Sequence, residues 1–182
     1  MDSWKRAQGM NGYSVEEGAD LGRIDDFQFD LQTRKIYGWR LRQMGVFGKT
    51  GGLKAEDLLL LGEDVALISS KEAVLWGREK KNSTHGRVWA SRYRKTEVLN
   101  RRGERLGRIV DIVIDQAGNE VQGFLLTDEQ LLPLFTDVVI GPDSVIVEKD
   151  GLLEQLSVED KDIETETNWT RVRDFFSKNK ET

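Results

Sequence analysis

The side chains able to do chemistry in this chain are a set of recurring aspartates, a lone histidine, a lysine among glycines and a stripe of cations. Asp26, Asp30 and Asp64 in one stretch correspond to Asp111, Asp115 and Asp143 in another. Paired carboxylates of this kind pass protons as general acid and base, or hold a hard cation. Their recurrence at the same strand or turn position favours a structural role, in which each carboxylate accepts neighbouring backbone N–H groups. Gly48-Lys49-Thr50 ends like a phosphate-binding loop, but the leading glycine of that motif is replaced by Gln43 and no strand-loop-helix unit surrounds it. His85 is the only histidine, and its segment REKKNSTHGR offers no carboxylates at ligand spacing. Cysteine is absent, so there is no thiolate nucleophile and no cysteine zinc site; no serine has a histidine-centred arrangement. These residues predict no catalytic set, no bound metal and no cofactor.

The elements that carry these residues are duplicated. LGRIDDFQFD at Leu21–Asp30 returns 85 positions later as LGRIVDIVID at Leu106–Asp115, and the register holds from Gly18 and Gly103 to Gly38 and Gly123. Gly62 and Asp64 meet Gly141 and Asp143 only at an offset of 79, which places a length change between Gly38 and Gly62. Phe27, Phe29 and Leu31, like Val110, Ile112 and Ile114, alternate with period two and predict strands. The polar stretches LQTRK and QAGNE then turn each chain back to Ile36, Trp39, Leu41 and to Val121, Phe124, Leu126, as in β-hairpins. Further strands are expected at Tyr13–Val15 and Val98–Leu99, and at Val65–Ile68 and Val145–Val147.

Of 182 residues, 38% are hydrophobic and 32% charged, with a net charge of -5, a composition suited to folded globular units. Four segments are predicted: a first unit at 1–77, a basic linker at 78–95, a second unit at 96–150, and an acidic tail with a short amphipathic helix at 151–182. Units of roughly 70–80 residues bury only a modest core, so packing between copies or self-association is expected to add stability. Uninterrupted apolar runs such as Leu58–Leu61 are far too short to span a bilayer, and the opening MDSWKRAQG lacks the apolar core of a signal peptide. A cytoplasmic location is the expectation.

The leading strand, the glycine turn, LGRI with alternating apolar residues and Asp, the hairpin, and GED or GPD before a last strand together resemble the PRC-barrel family. The resemblance covers about Tyr13–Ser69 and Thr96–Lys149. It implies an all-β fold of two small antiparallel PRC-barrel-like β-barrels in tandem, followed by a short C-terminal helix. The family is named for the photosynthetic reaction centre H subunit and includes a ribosome maturation factor whose barrel engages a ribosomal protein, so the resemblance implies a docking module.

Residues present in only one copy are the candidates for partner binding. Val46 and Phe47 form an apolar tip between glycines in the Met44–Leu53 loop. Lys80, Lys81 and Arg87 belong to the basic linker, where Trp89 and Tyr93 are interleaved with cations as in surfaces that meet phosphates and bases. Trp169, Val172, Phe175 and Phe176 fall near one face at helical spacing behind the capping residue Asn168. The leading functional expectation is a non-catalytic protein-binding scaffold or adaptor. An RNA- or ribosome-associated assembly factor using the basic linker, and an accessory protein related to the reaction centre H subunit, are the alternatives.

Overall fold

The structure, a computed structural model, describes residues 2–45, 48–77, 86–115, 117–134 and 138–147. The first half carries β1 (Asp2–Ser3), β2 (Asn11–Ser14), β3 (Asp20–Asp30), β4 (Ile36–Arg42), β5 (Thr50–Lys54), β6 (Leu58–Leu61), β7 (Val65–Ile68) and β8 (Leu75–Trp76). One helical turn, α1 (Trp4–Ala7), follows β1 and is capped by Ser3, whose hydroxyl accepts the Arg6 N–H. The second half carries β9 (Arg87–Trp89), β10 (Glu97–Asn100), β11 (Arg105–Ile114), β12 (Val121–Leu126), β13 (Leu131–Pro133), β14 (Val138–Ile140) and β15 (Ser144–Val147). A 3-10 turn at Ala90–Tyr93 takes the place of α1.

The fold is all-β, and the duplicated sequence gives a duplicated topology. One sheet runs β6-β7-β2-β3-β4-β5-β8 and the other β14-β15-β10-β11-β12-β13, so the shared six strands follow the same order. Two features depart from paired antiparallel barrels. First, β2 lies parallel to β7 and β10 parallel to β15, because the opening and closing strands of each unit run the same way. Second, neither sheet closes among the described residues: β6, β8, β13 and β14 are terminal strands.

The two sheets are tied by exchanged strands. β3 spans eleven residues and β2 only four, so β2 covers Asp20–Arg23 and leaves the far end of β3 bare. That bare edge, Gln28–Asp30, pairs with β9 from the second half. Reciprocally, β10 covers the start of β11, and β1 from the first half pairs with Val113 and Ile114. An uncovered strand edge exposes unpaired backbone N–H and C=O groups, and each half supplies what the other lacks. Residues 86–95 of the expected basic linker are therefore strand β9, the 3-10 turn and the entry to β10, because the free edge of β3 recruits them.

A second seam joins the hairpin turns. The Ile36 N–H donates to the Asn119 carbonyl at 2.7 Å and the Val121 N–H to the Arg34 carbonyl at 2.9 Å, with Lys35 bridged to Glu120. Positions 34 and 119, 35 and 120, and 36 and 121 are equivalents in the duplication, so a local two-fold relation passes between Lys35 and Glu120. Below the seam lies one continuous aromatic row. Trp39 meets Phe27 at 5.1 Å, Phe27 meets Phe29 at 5.9 Å, Phe29 meets Tyr93 at 5.8 Å, and Tyr93 stacks on Phe124 at 6.1 Å. All five are essentially inaccessible to solvent. Burying each contributes on the order of 1.5–3 kcal/mol, so this shared core outweighs the few hydrogen bonds of the seam.

Candidate interaction surface

The matched aspartates resolve into two kinds. Asp30 accepts the N–H groups of Gln32 and Thr33 at 2.9 and 2.8 Å, and Asp115 those of Asn119 and Glu120 at 2.6 and 2.9 Å. These are turn acceptors, and the Thr33 bond holds the Asp30 carboxyl below the usual range. Asp26 and Asp111 are different: each sits at a β-bulge, is nearly solvent-free, and reaches across the seam. Asp26 accepts from Phe27 at 2.9 Å and from Ser91, in the second half's 3-10 turn, at 3.1 Å. Asp111 accepts from Ile112 at 2.8 Å and from Lys5, in α1, at 2.9 Å. Each carboxylate thus anchors the turn donated by the opposite half.

Burial pushes both carboxyls above the ordinary carboxylate range, opposed by these hydrogen bonds. Perturbed acids often mark active sites. Here the bonding of Asp26 and Asp111 is committed to the exchanged turns, and neither lines the grooves described below. The copies differ in one partner: Arg40 lies 2.6 Å from Asp25 and 3.4 Å from Asp26, whereas the residue at the matching position of the second copy is Leu125. The Arg40 guanidinium also lies 4.6 Å from the Trp89 ring.

Surface features flank this seam. An open groove of about 610 Å³ is lined by Lys35, Tyr37, Lys54, Glu56, Arg87 and Glu120, among others. Both cations and anions line it, and Arg87 stacks 3.6 Å from the partly exposed Tyr37 ring, so the linker cation singled out from sequence is held against an aromatic. A second groove is lined by Glu97, Arg105, Arg108 and Thr127. Glu97 pairs there with Arg108 at 3.2 Å and Arg105 at 3.6 Å. Among the described residues no three His, Cys, Asp or Glu side chains gather to hold a metal ion, and no helix is long and apolar enough to cross a membrane.

Gly48 and Lys49 precede strand β5 rather than a helix, so the phosphate-loop ending has no helix N-terminus behind it. Of the other expected binding residues, Val46, Phe47, Lys80, Lys81, Trp169, Val172, Phe175 and Phe176 lie outside the described residues, as do His85 and the whole tail.

Sequence reasoning missed the outer strand β6. A bulge between Leu58 and Leu60 breaks the inward-outward alternation, so Leu58 and Leu61 enter the core while Leu59 and Leu60 are 54% and 43% exposed. The corresponding strand β14 exposes Val139 alone among its residues to a similar degree. The available signal was an apolar run without alternation, bracketed by Glu56-Asp57 and Glu63-Asp64.

The class defined by this geometry is an all-β protein of two sheets, six strands of which follow the same order in each. Within it, residues 86–154 match the profile of the PRC-barrel domain, so a PRC-barrel domain is present in the second half. The matched span opens at β9, the strand lent to the first half. No curated protein matches the chain.

Proposed function

We propose that the protein is a non-catalytic cytoplasmic scaffold or adaptor that binds protein through its open strand edges, and that its first half is a second, diverged PRC-barrel unit. The tandem reading is supported by the identical order of the six shared strands in both sheets. The observation that carries the binding role is β6: a terminal strand paired on one side only among the described residues, with two adjacent exposed leucines. Such an edge accepts an extended or amphipathic segment, with backbone bonds or apolar contacts giving affinity and side chains giving selectivity. The test is affinity capture from native lysate by the full chain and by a Leu59→Glu, Leu60→Glu variant, each with and without nuclease. Nuclease-resistant partners that the variant loses are expected; partners lost only on nuclease treatment would overturn the reading.

The RNA- or ribosome-associated alternative rests on one observation: Arg92, Arg94, Arg101, Arg102, Arg105 and Arg108 are all exposed on the second half. Their positions in the first hairpin correspond, at 101, 102 and 105, to Glu16, Glu17 and Asp20 of the first half. Phosphate contacts there would give binding that weakens steeply between 50 and 200 mM salt.

A further inference from the structure

Each sheet carries a cross-strand row of side chains on its outer face. In the first half the strand registers set Leu60 beside Leu67, Leu67 beside Tyr13 and Tyr13 beside Asp20. In the second half they set Val139 beside Ile146, Ile146 beside Leu99 and Leu99 beside Arg105. Paired residues point to the same side of a sheet, and the chain neighbours Ala66, Ile68, Val98 and Val145 take the buried side. Leu60 is 43% and Val139 50% exposed, while Leu67, Tyr13, Ile146 and Leu99 are partly exposed and stand outside the hydrophobic core. The rows cross the same four strands of the shared order, about 14 Å. They differ in sign at one end, Asp20 against Arg105.

The contrast extends into the adjoining turns, where Glu16 and Glu17 of the first half face Arg101 and Arg102 of the second in the duplication. At the acidic end Glu16 and Asp20 make no ion pair among the described residues, and Glu17 accepts the Lys71 backbone N–H at 3.1 Å. The nearby cations are engaged: the Lys71 ammonium lies 3.8 Å from Glu72, and Arg23 donates to Asn11 at 3.1 Å. Arg6, which donates to the Gly62 and Glu63 carbonyls, stands at the β6 end of the row, three strands from Asp20. At the basic end Glu97 is shared by Arg105 at 3.6 Å and Arg108 at 3.2 Å, and Glu104 lies 3.4 Å from Arg102, so carboxylates are outnumbered there. We propose that the two rows bind each other between copies of this chain, the first-half row of one copy packing on the second-half row of the next with Asp20 opposite Arg105. Within one molecule the rows lie on the outer faces of different sheets, so they meet only between molecules. Pairing a row with its own counterpart sets acid on acid or cation on cation, which selects the head-to-tail arrangement. A pair of copies joined in this way keeps one free row of each kind, and association continues beyond two.

The test is sedimentation of the purified full chain over a series of concentrations. The parent is expected to gain mass with concentration, passing beyond the dimer. Asp20→Arg and Arg105→Asp should each weaken this self-association by about ten-fold, because each sets like charges opposite one another. Mixed one to one, the two variants should recover it, since every contact between unlike chains again joins an acid to a cation. Thermal melts establish that both variants are folded; Tyr13→Lys, one strand in from Asp20, replaces Asp20→Arg if loss of the 2.7 Å bond from the Gly22 N–H to Asp20 destabilises the turn. A parent that stays monomeric at every concentration would overturn the proposal and leave the rows to other proteins. Association unchanged in the single variants, or absent from the mixture of folded variants, would overturn it equally. The proposal goes beyond the docking edge assigned to β6 and shares only Leu60 with it. Asp20→Arg and Arg105→Asp leave both leucines in place, so loss of self-association and loss of lysate partners in the leucine variant are read separately.

Discussion

Replacing Asp111 by alanine removes the acceptor of two backbone N–H groups, those of Lys5 at 2.9 Å and Ile112 at 2.8 Å, from a site only 2% exposed. A buried donor left without a partner costs about 1–3 kcal/mol, so the pair costs on the order of 3 kcal/mol after partial relaxation. For a chain of this size that lowers the melting temperature by about 6–12 °C. Asparagine is the informative control. Its Oδ1 keeps both acceptances while the buried charge is gone, so Asp111→Asn should lie within about 1 kcal/mol of the parent. The pH dependence follows from burial raising the folded-state pKa above the unfolded one. The contribution of Asp111 to stability is then complete below the unfolded carboxylate range and is lost as pH rises through the folded-state value. Asp111→Asn, which does not titrate, should compare most favourably with the parent at neutral pH and least favourably in mild acid. Urea denaturation of the three proteins at both pH values measures this directly. If asparagine were as damaging as alanine at neutral pH, hydrogen-bond acceptance across the seam would not be what Asp111 supplies.

Asp26→Asn should cost about 1–2 kcal/mol more than Asp111→Asn, because Asp26 alone has a guanidinium beside it, and equal urea midpoints would remove that distinction. Tyr93→Phe deletes the 3.0 Å bond from its hydroxyl to the Gly141 carbonyl at about 0.5–1.5 kcal/mol, whereas Tyr93→Ala opens the aromatic row between the halves at about 3–5 kcal/mol. Calorimetry of the parent should show a single transition, and two resolved transitions would contradict the shared core. Gly22→Ala places a Cβ 2.5 Å from the Arg42 carbonyl oxygen at φ +86 and should cost about 2–4 kcal/mol; the matched Gly107→Ala meets nothing nearer than Thr127 Oγ1 at 3.2 Å and should cost roughly half as much, both read from thermal melts.

Much of the candidate surface was hidden for a specific reason. Arg87 was singled out as a linker cation, yet its position is set by β9 pairing with β3, a contact between residues nearly sixty positions apart. Four successive leucines carry no alternation to say which of them face outward, and only the bulge opposite β7 turns Leu59 and Leu60 to the surface. Val110 was expected to share a face with Ile112 and Ile114; a bulge at that point instead leaves it 40% exposed. A bulge is a property of two strands in register, and period-two reasoning follows one strand at a time.

What the sequence determined by itself was the local and the repeated. The strands at Val65–Ile68 and at Leu21–Asp30, the hairpin turns closed by Asp30 and Asp115, and the left-handed turn glycines Gly18 and Gly103 ahead of each LGRI follow from bonds within a few residues and from the 85-residue echo. What only the tertiary structure decided was the relation between the copies. An eleven-residue strand beside a four-residue partner leaves an edge that must be covered, and the sequence does not state by what. The fold covers it with the other half's opening strand, turns Asp26 and Asp111 into anchors for the turns that follow, and merges two small apolar faces into one core. Edge pairing and burial are collective, set by which surfaces remain open after every local choice has been made.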